Sequence, residues 1–152
     1  MHVLFLCTGN SCRSQMAEGF ARAMHAGVLH AASAGTIAKG LNPLAVRAMR
    51  EVGIDVSLHR SKTVADLAGQ PFDAVITVCG HAHETCPMFP GSPGHGAARV
   101  IHVGFDDPPE LARACTSDEQ AMHHYRRVRD EIGLFVKSLP AFLSRKLTTR
   151  AI

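Results

Sequence analysis

Three side chains with complementary chemistry lie close together near the start of the chain: Cys7, Arg13 and Ser14. A cysteine thiolate is a nucleophile, and a guanidinium is a planar fork that holds two oxygens of one anion. The charge of Arg13 and the hydroxyl of Ser14 both favour the thiolate form of Cys7. A lone cysteine is more often a small buried apolar residue. The narrower Cys-x5-Arg-Ser pattern instead predicts that Cys7 attacks a tetrahedral oxyanion.

The residues between Cys7 and Ser14 are predicted to form the cradle for that anion. An apolar run at 3–6 predicts a buried strand and residues 15–24 predict a helix, so a tight loop connects them. Backbone N–H groups in such a loop point into one concavity at the positive end of the helix dipole. Gly9 and Asn10 are expected to adopt left-handed conformations. The predicted oxyanion-binding residues are Thr8, Gly9, Asn10, Ser11, Cys12, Arg13 and Ser14. Cys12 itself is predicted to be a spacer or a reserve thiol.

Strand and helix patterns alternate along the rest of the chain. Further strands are predicted at 28–34, 72–79 and 99–103, and further helices at 43–52, at 64–67 and after residue 117. This alternation predicts a parallel sheet that helices cover on both faces. We expect one three-layer, flavodoxin-like α/β domain with four parallel strands over residues 1–143, followed by a basic C-terminal tail at 144–152.

The last predicted helix begins with two overlapping capping boxes, Thr116 with Glu119 and Ser117 with Gln120. A stripe of apolar residues follows at helical spacing: Ala121, Tyr125, Val128, Ile132, Phe135 and Leu139. The pattern predicts a long helix with one buried face.

Chemically active residues follow three of the predicted strands. Cys7, Cys79 and the pair Asp106-Asp107 all fall at the carboxyl ends of strands, which meet at one edge of a parallel sheet. A carboxylic acid beside an oxyanion can protonate the oxygen that leaves when Cys7 attacks. We assign that role to Asp107, which directly precedes Pro108; the alternative is an aspartate that caps a turn.

A second group of cysteines, Cys79 and Cys86, follows the predicted strand at 72–79. If the first and third strands of the chain are neighbours, their ends lie about 5 Å apart, and Cys7 and Cys79 can join in a disulfide. A helix over 80–86 would separate Cys79 from Cys86 by about 10 Å, beyond the roughly 7 Å limit for a disulfide. Joining Cys79 to Cys86 would therefore require the segment to unwind, which suggests a redox shuttle.

The same segment supplies four potential metal ligands: Cys79, His81, His83 and Cys86. Their spacing does not match the paired Cys-x2-Cys patterns of common zinc sites, so no metal site is predicted. We expect His81 and His83 to face solvent.

Composition limits the class of protein. The chain has 152 residues, of which 46% are hydrophobic, a net charge of +3 and five cysteines. No apolar run reaches the 18 or so residues of a membrane span, and no basic stripe with interleaved aromatics suggests nucleic acid. The odd cysteine count is typical of free thiols in a reducing compartment, so we expect a cytoplasmic protein. Cys115 is predicted to be dispensable.

Several segments together resemble thioredoxin-coupled arsenate reductases, which share the low-molecular-weight tyrosine phosphatase fold. The resemblance rests on residues 7–18, the expected turn Ser33-Ala34-Gly35, Asn42-Pro43, and residues 79–87, 104–108 and 126–132. Its most specific part is the triplet Cys7, Cys79 and Cys86. The resemblance covers nearly the whole chain.

The resemblance implies a mechanism. Cys7 attacks arsenate while Asp107 protonates the departing oxygen, and Cys79 then attacks Cys7 and releases arsenite. Cys86 next attacks Cys79, which frees Cys7 and presents a Cys79–Cys86 disulfide to thioredoxin. The expected partners are arsenate, with phosphate or sulfate as competing oxyanions, and thioredoxin as the external electron donor. We expect no cofactor, and we expect the chain to be a monomer.

The chain departs from the family pattern at two of the positions that bind potassium in some members. Some members bind this ion through groups that match Asn10, Glu18 and Ser33, together with a threonine and an aspartate. Arg60 and Lys62 stand in those last two positions here. A cation from either side chain would replace the metal, so we expect little dependence on potassium.

Two other functions remain open at this point. A low-molecular-weight protein tyrosine phosphatase would use Cys7 through a phosphocysteine intermediate, but phosphotyrosine-specific members usually carry aromatic residues after the Asp-Pro pair. Here Pro109-Glu110-Leu111 follows, and the chain has one tyrosine and no tryptophan. A thiol or metal sensor would use the 79–86 segment as a switch and would leave the oxyanion loop unexplained.

Overall fold

A parallel sheet with connecting helices makes up the fold in the computed structural model, which describes residues 1–84, 86–94 and 96–148, apart from the His83 side chain. The strands are β1 (His2–Cys7), β2 (His30–Gly35), β3 (Ala74–Thr77) and β4 (Arg99–His102). The α-helices are α1 (Arg13–Met24), α2 (Pro43–Glu51), α3 (Gly80–Glu84), α4 (Pro108–Leu111) and α5 (Asp118–Thr148). Single 3-10 turns lie at Val64–Leu67 and Ala112–Ala114.

The four strands are parallel and lie in the order β2-β1-β3-β4. Strand β1 is therefore central, and β3 is its neighbour as the sequence predicts. Cys7 pairs with Gly35 of β2, and Leu6 pairs with Thr77 of β3. The order reverses between β1 and β3, so the ligand crevice of an open parallel sheet is expected beyond the ends of these two strands.

Strand β1 is buried on both sides. Val3, Leu4, Phe5 and Leu6 are each 0% exposed. Because successive strand side chains point to opposite faces, both faces of the sheet must be covered. The single α/β domain with a four-stranded parallel sheet is confirmed. Ser33 to Gly35 end β2 rather than forming the expected turn.

Helix α5 packs against α1 and α2. At Gly133 an added Cβ would lie 3.0 Å from the ring of Phe20, so the glycine lets α5 approach α1 closely. Glu51 at the end of α2 accepts two hydrogen bonds from Arg126, at 2.8 and 2.9 Å. The helix extends to Thr148, five residues into the expected tail at 144–152; residues 149–152 lie outside the described part of the chain.

The start of α5 shows one of the two expected capping interactions. The hydroxyl of Ser117 accepts a hydrogen bond from the backbone N–H of Gln120, which is one half of the expected capping box. The pairing of Thr116 with Glu119 is wrong, because Thr116 bonds to the Gln120 side chain instead. Glu119 forms an ion pair with Arg47 of α2, so a long-range charge contact replaces the local one.

None of the helices in the described residues combines the length and the apolar character needed to cross a bilayer.

Candidate active site

Cys7 lies at the carboxyl end of β1, at the base of the loop that leads into α1. Its side chain is 4% exposed. The sulfur is 2.8 Å from the hydroxyl oxygen of Ser14 and accepts a hydrogen bond from the backbone N–H of Asn10 at 3.2 Å. Both groups can donate to a thiolate, which is the form that acts as a nucleophile.

The outer side of this loop is hydrogen-bonded to the segment that follows β2, residues 36–42. The backbone N–H of Ile37 donates to the Thr8 carbonyl at 3.0 Å, and that of Lys39 donates to the Gly9 carbonyl at 2.9 Å. The N–H of Asn42 donates to the Ser11 carbonyl at 2.9 Å. Because these carbonyls are bonded outward, the loop is free to direct its N–H groups toward the centre, as an anion site requires.

The loop conformation depends on Asn10 more than on Gly9. The expected left-handed conformation is confirmed for Asn10, with φ of 47°, and is wrong for Gly9, whose φ is not positive. At Gly9 the side chain of Lys39 passes close to the backbone. A Cβ there would lie 2.9 Å from Cδ of Lys39, whose side chain extends across this residue.

A cavity of about 390 Å³ opens over the loop, and Cys7, Arg13 and Asp107 line it. Arg13 Nη2 lies 3.2 Å from the Asp107 carboxylate, and Nη1 donates to the Phe105 carbonyl at 2.9 Å. The structure thus brings the three predicted groups together around one volume. Lys39 and Asn42, which the sequence analysis does not assign to the site, also line it.

Asp106 and Asp107 have different surroundings. The Asp106 carboxylate faces Arg127 of α5 at 2.9 Å and does not line the cavity. Asp107 is the N-cap residue of α4, yet its side chain makes no capping hydrogen bond. Its orientation toward Arg13 is therefore not explained by helix capping.

A buried polar network supports the loop from below. The Asn10 side-chain amide donates to Ser14 Oγ at 3.0 Å and to Ser33 Oγ at 2.9 Å. Ser33 in turn donates to the carboxylate of Glu18, which is 2% exposed. Arg22 lies 2.7 Å and Lys62 Nζ 3.8 Å from that carboxylate. Two cations thus balance a buried charge next to the loop.

A second branch of the network reaches His59. Asn10 Oδ1 accepts hydrogen bonds from Gln15 Nε2 at 3.0 Å and from the backbone N–H of Lys62 at 2.9 Å. Gln15 Oε1 lies 3.0 Å from Nδ1 of His59. Burial lowers the pKa of His59, so the neutral imidazole is favoured. No local sequence pattern connects His59 to residues 10–15, and the sequence analysis misses this contact.

Cys79 lies beside the oxyanion loop. Its sulfur is 3.4 Å from the hydroxyl of Thr8 and accepts from the backbone N–H of Ala82 at 3.4 Å. The side chain is 6% exposed. Cys86 lies beyond α3, where burial raises the pKa of its thiol. Cys79 is therefore next to the site, whereas Cys86 is in a separate segment.

The two remaining cysteines have different environments. Cys12 is 3% exposed, and burial, assisted by Asp107 and Cys7, raises the pKa of its thiol. It therefore stays protonated and is a poor nucleophile. Cys115 is partly buried in another cavity, next to His123 and His124. Among the described side chains, no three potential ligands lie close enough to hold a metal ion, and the His83 side chain lies outside that description.

Comparisons with known proteins identify relatives over almost the full chain. The arsenate reductase of Bacillus subtilis strain 168 is 48% identical over 131 residues, covering 86% of this chain and 88% of that protein. The arsenate reductase of Halalkalibacterium halodurans is 46% identical over 136 residues, covering 90% and 92%. A solved arsenate reductase in the phosphate-binding state is 32% identical, with a TM-score of 0.68 and coverage of 93% of this chain and 98% of that one.

The model of one protein family, low molecular weight phosphotyrosine protein phosphatase, matches residues 2–149. The chain thus belongs to the low-molecular-weight phosphotyrosine protein phosphatase family, and the curated relatives described above are arsenate reductases.

Proposed function

We propose that the protein reduces arsenate to arsenite through a relay of Cys7, Cys79 and Cys86, with thioredoxin as electron donor. The observation that carries the proposal is the position of a second thiol at the oxyanion loop, where Cys79 Sγ lies 3.4 Å from the Thr8 hydroxyl. A phosphatase of this family needs one cysteine for its covalent intermediate. A reductase needs a second thiol that can attack the first.

The first step is substitution at arsenic. Arsenate binds the loop amides and Arg13, and the Cys7 thiolate forms a sulfur–arsenic bond while one arsenic–oxygen bond breaks. Asp107 gives its proton to the leaving oxygen, which departs as water. Arg13 lies 3.2 Å from the Asp107 carboxylate. A bound oxyanion competes for the guanidinium, and the released Asp107 carboxylate takes up from solvent the proton that it then donates.

The second step transfers two electrons. Cys79 attacks the Cys7 sulfur, and the sulfur–arsenic bond breaks with its electron pair passing to arsenic. Arsenic is reduced from As(V) to As(III) and leaves as arsenite, and the two thiols are oxidised to a Cys7–Cys79 disulfide. The neighbouring positions of β1 and β3 support a short path between these two sulfurs.

The third step moves the disulfide away from the loop. Cys86 attacks Cys79, which releases Cys7 as a thiolate, and a thioredoxin dithiol then reduces the Cys79–Cys86 disulfide. Helix α3 separates the two cysteines, so it must unwind for this step. Burial raises the pKa of Cys86, which keeps this thiol protonated until the segment rearranges.

Lys62 supplies the positive charge that a potassium ion would otherwise bring to Glu18. The 3.8 Å separation of Lys62 Nζ from Glu18 Oε2 supports this proposal. The enzyme acts without a resident cofactor, and phosphate and sulfate compete for the loop because they share the tetrahedral shape of arsenate. All groups in the relay come from one chain, so a monomer suffices, and the need for reduced thiols fits the cytoplasm.

The test is arsenate-dependent oxidation of NADPH in the presence of thioredoxin and thioredoxin reductase, with phosphate in place of arsenate as the control. Sustained turnover with arsenate alone is expected. Hydrolysis of an aryl phosphate without arsenate turnover would instead support the family phosphatase activity. The family match and the complete Cys7 loop favour that second function, whereas Cys79 and Cys86 have no role in it.

A further inference from the structure

Lys39 is a charged residue at the mouth of the Cys7 cavity that the proposed mechanism does not use. It lines the cavity together with Arg13 and Asp107. The backbone N–H of Lys39 is held by the Gly9 carbonyl at 2.9 Å. Its methylene groups lie over Gly9, where an added Cβ would be 2.9 Å from Cδ and 3.2 Å from Cγ of the lysine. The side chain is thus positioned along the anion loop.

The two cations of this cavity differ in their partners. Arg13 is paired with the Asp107 carboxylate at 3.2 Å. Within the described part of the chain, the ammonium group of Lys39 has neither an ion pair nor a hydrogen bond. The positive field that an approaching anion meets is therefore supplied mainly by Lys39, because Asp107 offsets the charge of Arg13.

We propose that Lys39 is a specificity-determining residue that recruits doubly charged tetrahedral oxyanions into the Cys7 cavity. The inference rests on the proposed function, since it concerns how the same site selects its substrate. A dianion must enter a cavity that already holds the Asp107 carboxylate and, in the proposed mechanism, the Cys7 thiolate, and a second cationic group beside Arg13 reduces that repulsion. Because the lysine attracts the anion equally before and during the reaction, it lowers KM and leaves kcat unchanged.

Three substitutions separate charge from packing. Lys39→Met keeps the aliphatic contact with Gly9 and removes the charge, Lys39→Arg keeps the charge, and Lys39→Ala removes both. Lys137→Met, on the exposed side of α5, is the matched control for loss of one positive charge. The readout is the protection of Cys7 from iodoacetamide by added anions, followed by mass spectrometry of the peptide that contains Cys7. This measurement requires no turnover.

The probes are sulfate, a tetrahedral dianion, and perchlorate, a tetrahedral monoanion. Lys39→Met is expected to weaken the protection of Cys7 by sulfate about tenfold, and to weaken protection by perchlorate clearly less than that. The same substitution should reduce the salt dependence of sulfate binding. Lys39→Arg should retain the affinity of the unmodified protein, as should Lys137→Met. In arsenate turnover, Lys39→Met should raise KM about tenfold with kcat unchanged.

Several outcomes would overturn the proposal. Equal losses for sulfate and perchlorate would show that Lys39 does not select by charge. Normal sulfate affinity in Lys39→Met with a loss in Lys39→Ala would make the residue a packing element for Gly9. Protection of Cys7 by sulfate without arsenate turnover in the unmodified protein would reject the reductase proposal alone. The Lys39 variants would still test whether Lys39 selects the anion.

Discussion

The Lys62 ammonium lies 3.8 Å from the carboxylate of Glu18, a residue whose side chain is 2% exposed. Glu18 accepts a hydrogen bond from Ser33, which also bonds to Asn10 of the oxyanion loop. The charge balance at Glu18 is therefore connected to the loop through two hydrogen bonds. Any group that changes this balance is expected to affect the loop.

The first prediction concerns potassium. The activity of the unmodified protein should change less than about twofold when potassium replaces sodium, because Lys62 already balances Glu18. Lys62→Met should lower arsenate turnover about tenfold in sodium, with partial recovery in potassium. Steady-state kinetics at constant ionic strength measure both effects. A large stimulation of the unmodified protein by potassium would show that Lys62 does not replace the ion.

The second prediction concerns Gly35, which pairs with Cys7 across β1 and β2. An added Cβ would lie 2.4 Å from the Ile37 carbonyl oxygen and 2.6 Å from that of Thr8. Gly35→Ala should therefore displace the oxyanion loop, slow alkylation of Cys7 at least tenfold and destabilise the protein by about 1–3 kcal/mol. Gly80→Ala is the control for stability, since a Cβ there meets no atom within 4 Å. Normal Cys7 reactivity in Gly35→Ala would show that the loop tolerates the displacement.

The third prediction separates the three thiols of the relay. Cys7→Ser should abolish arsenite release, because the sulfur that bonds to arsenic is removed. Cys86→Ser should release about one arsenite per chain and then stop with Cys7 joined to Cys79. Quantified arsenite and a mass map of disulfides after a single addition of arsenate test this directly. Cys115→Ser, which lies outside the site, is the control and should reduce arsenate at the normal rate. Sustained arsenate reduction by Cys86→Ser with thioredoxin would disprove the relay order.

The fourth prediction is a pH dependence of stability. Burial lowers the pKa of His59 below its ordinary value of 6.5, so the unfolded chain takes up this proton at higher pH than the folded protein. The stability that His59 contributes is then present above about pH 6.5 and is lost as the pH falls through the folded-state pKa. The charged groups around it are Glu18, Arg22, Lys62 and Asp55.

His59→Gln removes this titration and leaves an amide that can still bond to Gln15. Urea unfolding between about pH 7 and about pH 5 should show a smaller loss of unfolding free energy in this variant than in the unmodified protein. Equal losses of unfolding free energy in the two proteins would mean that another group controls the loss of stability at low pH.

Local patterns were sufficient to predict the centre of the fold. The apolar run before Cys7, the helical pattern after Ser14 and the strand ending near Cys79 each depend on neighbours in sequence. Together they predict a parallel sheet, and the structure has one, with β1 beside β3 as in the flavodoxin-like order. The ends of the strands differ by one to two residues, because hydrogen bonding across the sheet decides where a strand stops.

The parts that sequence analysis missed depend on contacts between distant segments. Lys39 reaches the site through a hydrogen bond to Gly9, and His59 reaches it through Gln15. Neither pairing has a fixed spacing that a pattern can detect. The wrong assignment of Gly9 has the same origin, since hydrogen bonds from residues 36–42 hold the loop in a conformation in which φ of Gly9 is not positive.

Hydrogen bonds from residues 36–42 hold the oxyanion loop in one conformation. The loop carbonyls of Thr8, Gly9 and Ser11 each accept a hydrogen bond from this segment. The conformational entropy of the loop is therefore lost during folding, and neither arrival nor departure of an anion has to rebuild it. In the proposed cycle the binding loop keeps its conformation while α3 rearranges, so the conformational change of the cycle falls on that helix and not on the loop.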